Sequence, residues 1–244
     1  MNKILIFLAF VSNLSIAATH APQSTSAEFT LAPSVRIISQ NSEHTFLADY
    51  ENLNLSNAQE ISSIGLGYRY RLASHSKLGL RLNMKSGLLH DDDWIWENKK
   101  WLWRETHDRN EFITGLEYQF RTLISALPGE NWVGEIRSTL DYNTHLSSFF
   151  IKPRLGLTYF GFSKGRAAYN IFFRFTPYLK VSNSFGTPYE LATYTGFAYN
   201  FTNMFQLSLN HQYIKQMWEF SNQTESSQST HVLGLNLNII FASN

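Results

Sequence analysis

The chain of 244 residues contains no cysteine and few charged residues, and both shortages narrow its possible functions. Without cysteine it has no disulfides, thiolate zinc sites, iron–sulfur clusters or cysteine nucleophiles. Charged residues make up 16% of the chain and the formal net charge is +1, so the chain lacks the basic field that nucleic acid requires. Aromatic residues reach 15%, which argues against disorder. The composition therefore favours a folded protein, without nucleic acid as a partner and without a cofactor or metal motif.

Long hydrophobic runs are also scarce, and the clearest one lies at the N-terminus. Lys3 precedes an apolar run over residues 4–11, and Ser15-Ile16-Ala17 fits a small-residue cleavage pattern. We therefore predict a signal peptide over 1–17 and an N-terminal periplasmic segment over 18–43. The alternative is an N-terminal membrane anchor, which would need a longer apolar run of roughly 18 residues. No later window approaches that length, so the mature chain is predicted to be exported.

Beyond residue 43, apolar and polar residues alternate in segment after segment. In one example Ile64, Leu66, Tyr68 and Tyr70 alternate with two glycines and two arginines. A period of two is typical of a strand with one apolar and one polar face. Residues 29–38 fit either a further strand or a periplasmic stretch. Ten strands are predicted, at 44–54, 60–72, 77–89, 108–122, 132–144, 149–161, 167–181, 189–201, 205–218 and 230–241.

These strands are long, their alternate connections are short, and aromatic residues collect near their ends. In these features the chain resembles the bacterial outer-membrane β-barrel proteins. The resemblance implies an all-β, ten-stranded antiparallel transmembrane β-barrel over 44–244, in the bacterial outer membrane and in contact with its lipid and lipopolysaccharide. An even strand number agrees with the usual single-chain bacterial barrel. A soluble β-sandwich is the alternative, but it needs neither strands of this length nor aromatic residues at the strand ends.

The predicted inner face of this barrel carries more bases than acids. Its acids are Glu111, Glu117, Glu135 and Asp141. An excess of fixed positive charge favours anions, so the sequence predicts a porin-like lumen that prefers small anionic solutes. The alternative is a lumen filled by ion-paired side chains, in a structural or surface-interaction protein. The bases are Arg69, Arg71, Lys77, Arg81, Lys85, Arg121, Arg137, Lys152, Arg154, Arg174 and Lys180.

The segment between the third and fourth predicted strands contains two Trp-x-Trp pairs. Pairing Trp94 with Trp103 and Trp96 with Trp101 predicts a hairpin with matched rings. This pairing joins even to odd positions, so one arm is predicted to contain a bulge. The hairpin is interpreted either as a stable exposed element or as an aromatic surface that binds a ligand.

The same segment raises the question of an enzyme. The stretch Asp91-x-Asp93-Trp94 resembles the first half of the omptin protease site. The resemblance implies Asp91 and Asp93 as candidate catalytic residues, facing an Asp–His pair that activates a water. His90, His107 and His145 are the histidines that could take the place of that pair's histidine, since a general base needs only hydrogen-bond reach. The second pair of that site, Asp-x-His, is missing from 182–190. We therefore expect no enzyme activity, and an omptin-like endopeptidase with a degenerate site is the alternative.

Overall fold

Strands account for nearly all of the residues whose structure is described. The computed structural model of the chain describes residues 28–54, 60–87, 94–97, 100–103, 109–129, 131–144, 147–181, 188–219 and 225–242. No helix in these ranges is long and apolar enough to cross a membrane. In chain order the strands are β1 (Glu28–Gln40), β2 (His44–Asn54), β3 (Glu60–Ala73), β4 (Ser76–Gly87), β5 (Trp94–Glu97), β6 (Lys100–Trp103), β7 (Arg109–Leu123), β8 (Trp132–Asn143), β9 (Ser148–Ser163), β10 (Arg166–Val181), β11 (Pro188–Asn200), β12 (Phe205–Glu219) and β13 (Glu225–Ala242).

Eleven of these strands form one closed barrel, and β5 and β6 form a separate two-stranded sheet. Each barrel strand pairs with its neighbours in the chain, and β4 pairs with β7. The pairs are antiparallel except at the closure, where β1 runs parallel to β13 from Glu28 opposite Thr230 to Gln40 opposite Ala242. The parallel closure follows from the odd strand number, because successive strands alternate in direction and the first and last then point the same way.

The prediction of ten strands is therefore wrong, although the all-β closed barrel is confirmed. All ten predicted strands are present, and β1 is added to them. It pairs with β2 on one side and β13 on the other, so neither of those strands is left with an unpaired edge. Residues 28–40 thus belong to the barrel, which begins before residue 44, and of the two interpretations of 29–38 the structure shows the further strand.

The barrel is polar inside and apolar outside, the reverse of a water-soluble core. Residues directly opposite in neighbouring strands share a face, so the register separates the two faces around the whole barrel. Glu111 is fully buried and Glu117 is 1% exposed on the inner face, whereas Leu80 is 57% exposed on the outer face. Other outward apolar side chains with large exposure are Leu31, Phe46, Leu66, Leu116, Ile136, Leu155, Ile171, Phe197, Leu209 and Leu235.

The two ends of the barrel differ in their connections. At one end, here called the turn end, residues 41–43, 74–75, 124–131, 164–165 and 201–204 join successive strands. Asn41 Oδ1 closes the first of these turns by accepting hydrogen bonds from the backbone N–H groups of Glu43 and His44, at 2.9 and 2.6 Å. At the other end, here called the hairpin end, the chain leaves β4, forms the β5–β6 hairpin and returns in β7. Strand β1 begins at the hairpin end and β13 finishes at the turn end.

Candidate functional site

The strand register places the predicted lumenal bases on the inner face of the barrel. Arg69, Arg81 and Lys85 share inner rows with Glu117, Gly115 and Glu111. On the far wall, Arg137 lies opposite Arg154, and Lys152 and Arg174 face inward in the next rows. The other four predicted bases, Arg71, Lys77, Arg121 and Lys180, also lie on inner rows. Because every base on these strands alternates with an outward apolar residue, the charge is concentrated inside.

The carboxylate of Glu117 is held between two guanidinium groups. Arg69 Nε donates to Glu117 Oε1 at 2.5 Å, and Arg137 Nη1 lies 3.6 Å from Oε2. Arg69 is on β3 and Glu117 on β7, so the side chain crosses β4, where Gly79 stands between the two residues in the same row. A Cβ at position 79 would lie 2.9 Å from Arg69 Cγ. The missing side chain of Gly79 is therefore what lets the ion pair span three strands.

A second buried carboxylate, Glu135, continues this network toward the turn end. Arg121 Nη2 lies 2.6 Å from Glu135 Oε2, and Arg137 Nη2 lies 3.2 Å from Oε1. Gln119 Nε2 donates to the same Oε2 at 2.7 Å. Arg137 thus bridges Glu117 and Glu135. We call Arg69, Arg121, Arg137, Glu117 and Glu135 the inner ion-pair network.

The two remaining predicted inner acids lie nearer the hairpin end and are also paired with bases. Lys85 Nζ is 3.8 Å from Glu111 Oε2, and Asn143 Nδ2 donates to Glu111 Oε1. Lys152 Nζ is 2.7 Å from Asp141 Oδ2. All four predicted inner acids are therefore buried and neutralised by bases, so their negative charge is not available to a solute.

Several inner bases are left without a carboxylate within ion-pair distance among the described residues. Arg154 Nε donates to Thr176 Oγ1 at 3.1 Å, and its guanidinium lies 5.6 Å from the ring centre of Tyr194. The guanidinium of Arg174 lies 4.4 Å from the ring centre of Phe172. Hydroxyl and aromatic contacts orient these groups but do not cancel their charge. The positive charge of the interior therefore exceeds what its acids neutralise.

Sequence reasoning missed the charged residues that β1 and β2 add to the interior. Arg36 faces inward opposite Asp49, and Glu51 lies in a neighbouring inner row. The signal for Arg36 was its position between outward Val35 and Ile37, but adjacent Ile38 also faces inward and breaks the alternation. Arg36 itself is solvent-exposed.

The tryptophan hairpin has the predicted register. Trp94 pairs with Trp103 and Trp96 with Trp101, with Glu97 opposite Lys100 at the turn. The bulge predicted for one of its arms falls on residues outside those described. The same is true of Asp91, Asp93 and His107, the candidate catalytic residues of the omptin resemblance.

Neither a metal centre nor a known relative adds to this description. Among the described residues, no group of three or more histidine, aspartate or glutamate side chains could hold a metal ion. Searches with the sequence find no protein-family model and no curated protein that matches it.

Proposed function

We propose that this protein is a barrel of the bacterial outer membrane. The observation that carries the proposal is the inverted distribution of side chains, with ionised groups inside and large apolar side chains outside. Soluble monomers rarely expose contiguous apolar patches beyond a few hundred Å². Here each of the eleven barrel strands has outward apolar residues that are about half exposed. In a bilayer this apolar surface is transferred from water to hydrocarbon, and that transfer favours insertion of the barrel.

The strand lengths support the same proposal. The barrel strands contain between 11 and 18 residues. A tilted strand needs about 9 to 11 residues to cross a bilayer. A closed barrel also satisfies every strand edge, which the hydrocarbon layer requires because it offers no hydrogen bonds. The signal peptide predicted over 1–17 agrees with export to that membrane.

We further propose that the interior is a small anion-preferring pore. The four predicted inner acids are buried and paired, whereas Arg154 and Arg174 contact a hydroxyl and aromatic rings and have no carboxylate within ion-pair distance among the described residues. The interior therefore carries an excess of basic groups. Fixed positive charge in a narrow, low-dielectric passage attracts anions and repels cations. The solutes that fit this interior are small anions. The partners of the outer face are lipopolysaccharide and phospholipid.

The experiment is planar-bilayer conductance of the refolded protein under a salt gradient. We expect a reversal potential with the sign of anion selectivity, reduced in Arg36→Gln and Arg154→Gln. Lys164→Asn is the matched control, because Lys164 lies in an exposed turn between β9 and β10 and its loss leaves the interior unchanged.

Cation selectivity would overturn the assignment of the lumen. Inserted barrels that remain electrically silent would overturn the pore and leave a structural barrel. A protein that does not insert into bilayers would overturn the membrane location itself. Peptidase activity in the parent that is lost in the double variant Asp91→Asn with Asp93→Asn would overturn the pore and support the omptin-like alternative.

A further inference from the structure

The outer face of the barrel is interrupted by polar residues on two neighbouring strands. Outward positions of β12 and β13 are apolar toward the turn end but become polar toward the hairpin end. The register places Tyr213 opposite His231 and Lys215 opposite Ser229, all outward. We call His211, Tyr213, Lys215, Ser229 and His231 the outer polar cluster. A polar side chain in apolar surroundings costs free energy unless it is hydrogen-bonded, so the cluster is expected to have polar partners.

The two histidines of the cluster are bonded to each other. His211 Nε2 lies 2.9 Å from His231 Nδ1, with ring centres 5.2 Å apart and ring planes inclined by 22°. Nearly coplanar rings at this distance meet nitrogen to nitrogen, so one N–H donates to the other ring. The ring that accepts this bond carries its own N–H on its other nitrogen. The pair therefore offers an N–H donor beside the shared bond.

The rest of the cluster adds donors of the same kind. Tyr213 packs against the ring of His231 with centres 5.2 Å apart, and its hydroxyl lies 3.1 Å from Ser229 Oγ. Lys215 follows on the same face and supplies a permanent positive charge. In the register, Thr195 on β11 lies opposite His211, Thr193 lies opposite Tyr213, and Phe29 on β1 lies opposite His231. Among the described outward side chains of these four strands no carboxylate opposes the cluster.

The position of the cluster along β13 matches the edge of an apolar belt. From Leu233 to Phe241, every outward residue of β13 is apolar, and His231 is the next outward residue. Eight residues of a strand tilted by about 40° rise by about 20 Å. An outer-membrane barrel shows an apolar band about 25 Å tall. In a membrane, the cluster therefore lies where the acyl chains end and the headgroups begin.

We propose that the outer polar cluster binds the phosphate of an anionic lipid headgroup, an inference that rests on the membrane location proposed above. A phosphate group accepts several hydrogen bonds, which the histidine pair, Tyr213 and Ser229 can donate, and it carries the charge that the ammonium group of Lys215 complements. A lipid presents this phosphate from the side, with its chains against the apolar surface of Leu209 and Leu235. A second copy of the chain would bring the same basic face and be repelled.

The test is equilibrium binding of a short-chain phosphatidic acid to the refolded barrel, with phosphatidylcholine of the same chain length as reference. We expect His211→Gln with His231→Gln to weaken phosphatidic acid binding roughly tenfold, which corresponds to about 1.4 kcal/mol. Lys215→Gln should weaken it as well. His44→Gln is the matched control, because it removes a histidine at the turn end.

The outcomes separate this inference from the proposed function. Unchanged binding in the double variant and in Lys215→Gln, in a barrel that still inserts into vesicles, overturns the inference alone. Failure of the parent to insert overturns both. Displacement of phosphatidic acid by an excess of inorganic phosphate would make the free anion the ligand and overturn the lipid assignment. Phosphatidic acid that remains bound in that excess supports the lipid.

Discussion

Among single residues, glycine and arginine together build the interior. Gly79 leaves the space through which Arg69 reaches Glu117. Gly115 stands between Arg81 and Asp141 in another inner row, and a Cβ there would collide with Asp141 Oδ1. Small residues beside long charged ones let a narrow barrel hold many charged side chains without steric clash.

The alternation of the sequence predicts the face of each of these residues but not its partner. Arg69 and Glu117 are 48 positions apart, and their meeting depends on the register of β3, β4 and β7 together. A shift of one residue in any of these strands would turn the side chains of that strand to the other face. The inner bases could therefore be predicted as a set, whereas the inner ion-pair network required the structure.

The first prediction concerns Glu117, which is 1% exposed and faces two guanidinium groups. Glu117→Gln removes the charge that Arg69 and Arg137 share, so Arg69 loses its carboxylate while Arg137 keeps Glu135. We expect the free energy of unfolding to fall by about 3 kcal/mol, because removing one partner of a buried ion pair leaves the other charge buried and uncompensated. Urea-induced unfolding of the barrel in lipid vesicles measures the loss.

Glu43→Gln is the control for this substitution. Glu43 is 62% exposed in the first turn, and its nearest base is His44 at 3.8 Å. Its replacement should change the free energy of unfolding by less than about 0.5 kcal/mol. Equal effects of the two substitutions would show that the inner ion-pair network contributes nothing to stability.

At the scale of elements, the sequence of β1 explains why ten strands are predicted and eleven are present. Strict alternation holds over most of β2 to β4, but in β1 the apolar residues Ile37 and Ile38 are adjacent and point to opposite faces. The partner of β1 at the closure is β13, about 200 residues away, so no local pattern reports the pairing. The β5–β6 hairpin, by contrast, was predictable because its tryptophans and its turn are close in sequence.

The second prediction tests the parallel closure with a disulfide. Ser34 and Asn236 lie directly opposite on the inner face, and Ser34 Oγ donates to Asn236 Oδ1. The chain contains no cysteine, so Ser34→Cys with Asn236→Cys introduces a single possible pair. Neighbouring strands lie about 4.8 Å apart, within the range that a disulfide bridges. We expect mild oxidation to close a loop that shifts the migration of the denatured protein on gels.

Ser34→Cys with Ser208→Cys is the control for the cross-link. Ser208 is opposite Asn236 on β12, so β13 separates it from β1. Two strand spacings amount to about 10 Å, which exceeds the Cα separation of a disulfide. A cross-link to residue 208, or none to residue 236, would contradict the pairing of β1 with β13.

For the whole molecule, an odd strand number separates the two ends of the chain. In an even-stranded barrel the first strand begins where the last one finishes, so both lie on one side of the membrane. Here β1 begins at the hairpin end and β13 finishes at the turn end. If the turn end faces the periplasm, as the short turns of outer-membrane barrels do, then the barrel begins at the cell surface.

The third prediction follows from this separation and uses single cysteines in a chain that has none of its own. Ser147 is exposed at the hairpin end and Ser42 is exposed in the first turn. A membrane-impermeant maleimide applied to intact cells should label Ser147→Cys and Glu28→Cys, but should label Ser42→Cys only after the outer membrane is opened. If only Ser42→Cys is labelled in intact cells, the barrel has the opposite orientation in the membrane and still has eleven spanning strands. Protection of Glu28→Cys together with Ser42→Cys, while Ser147→Cys is labelled, would instead place both ends of β1 on the periplasmic side and exclude β1 from the membrane-spanning wall.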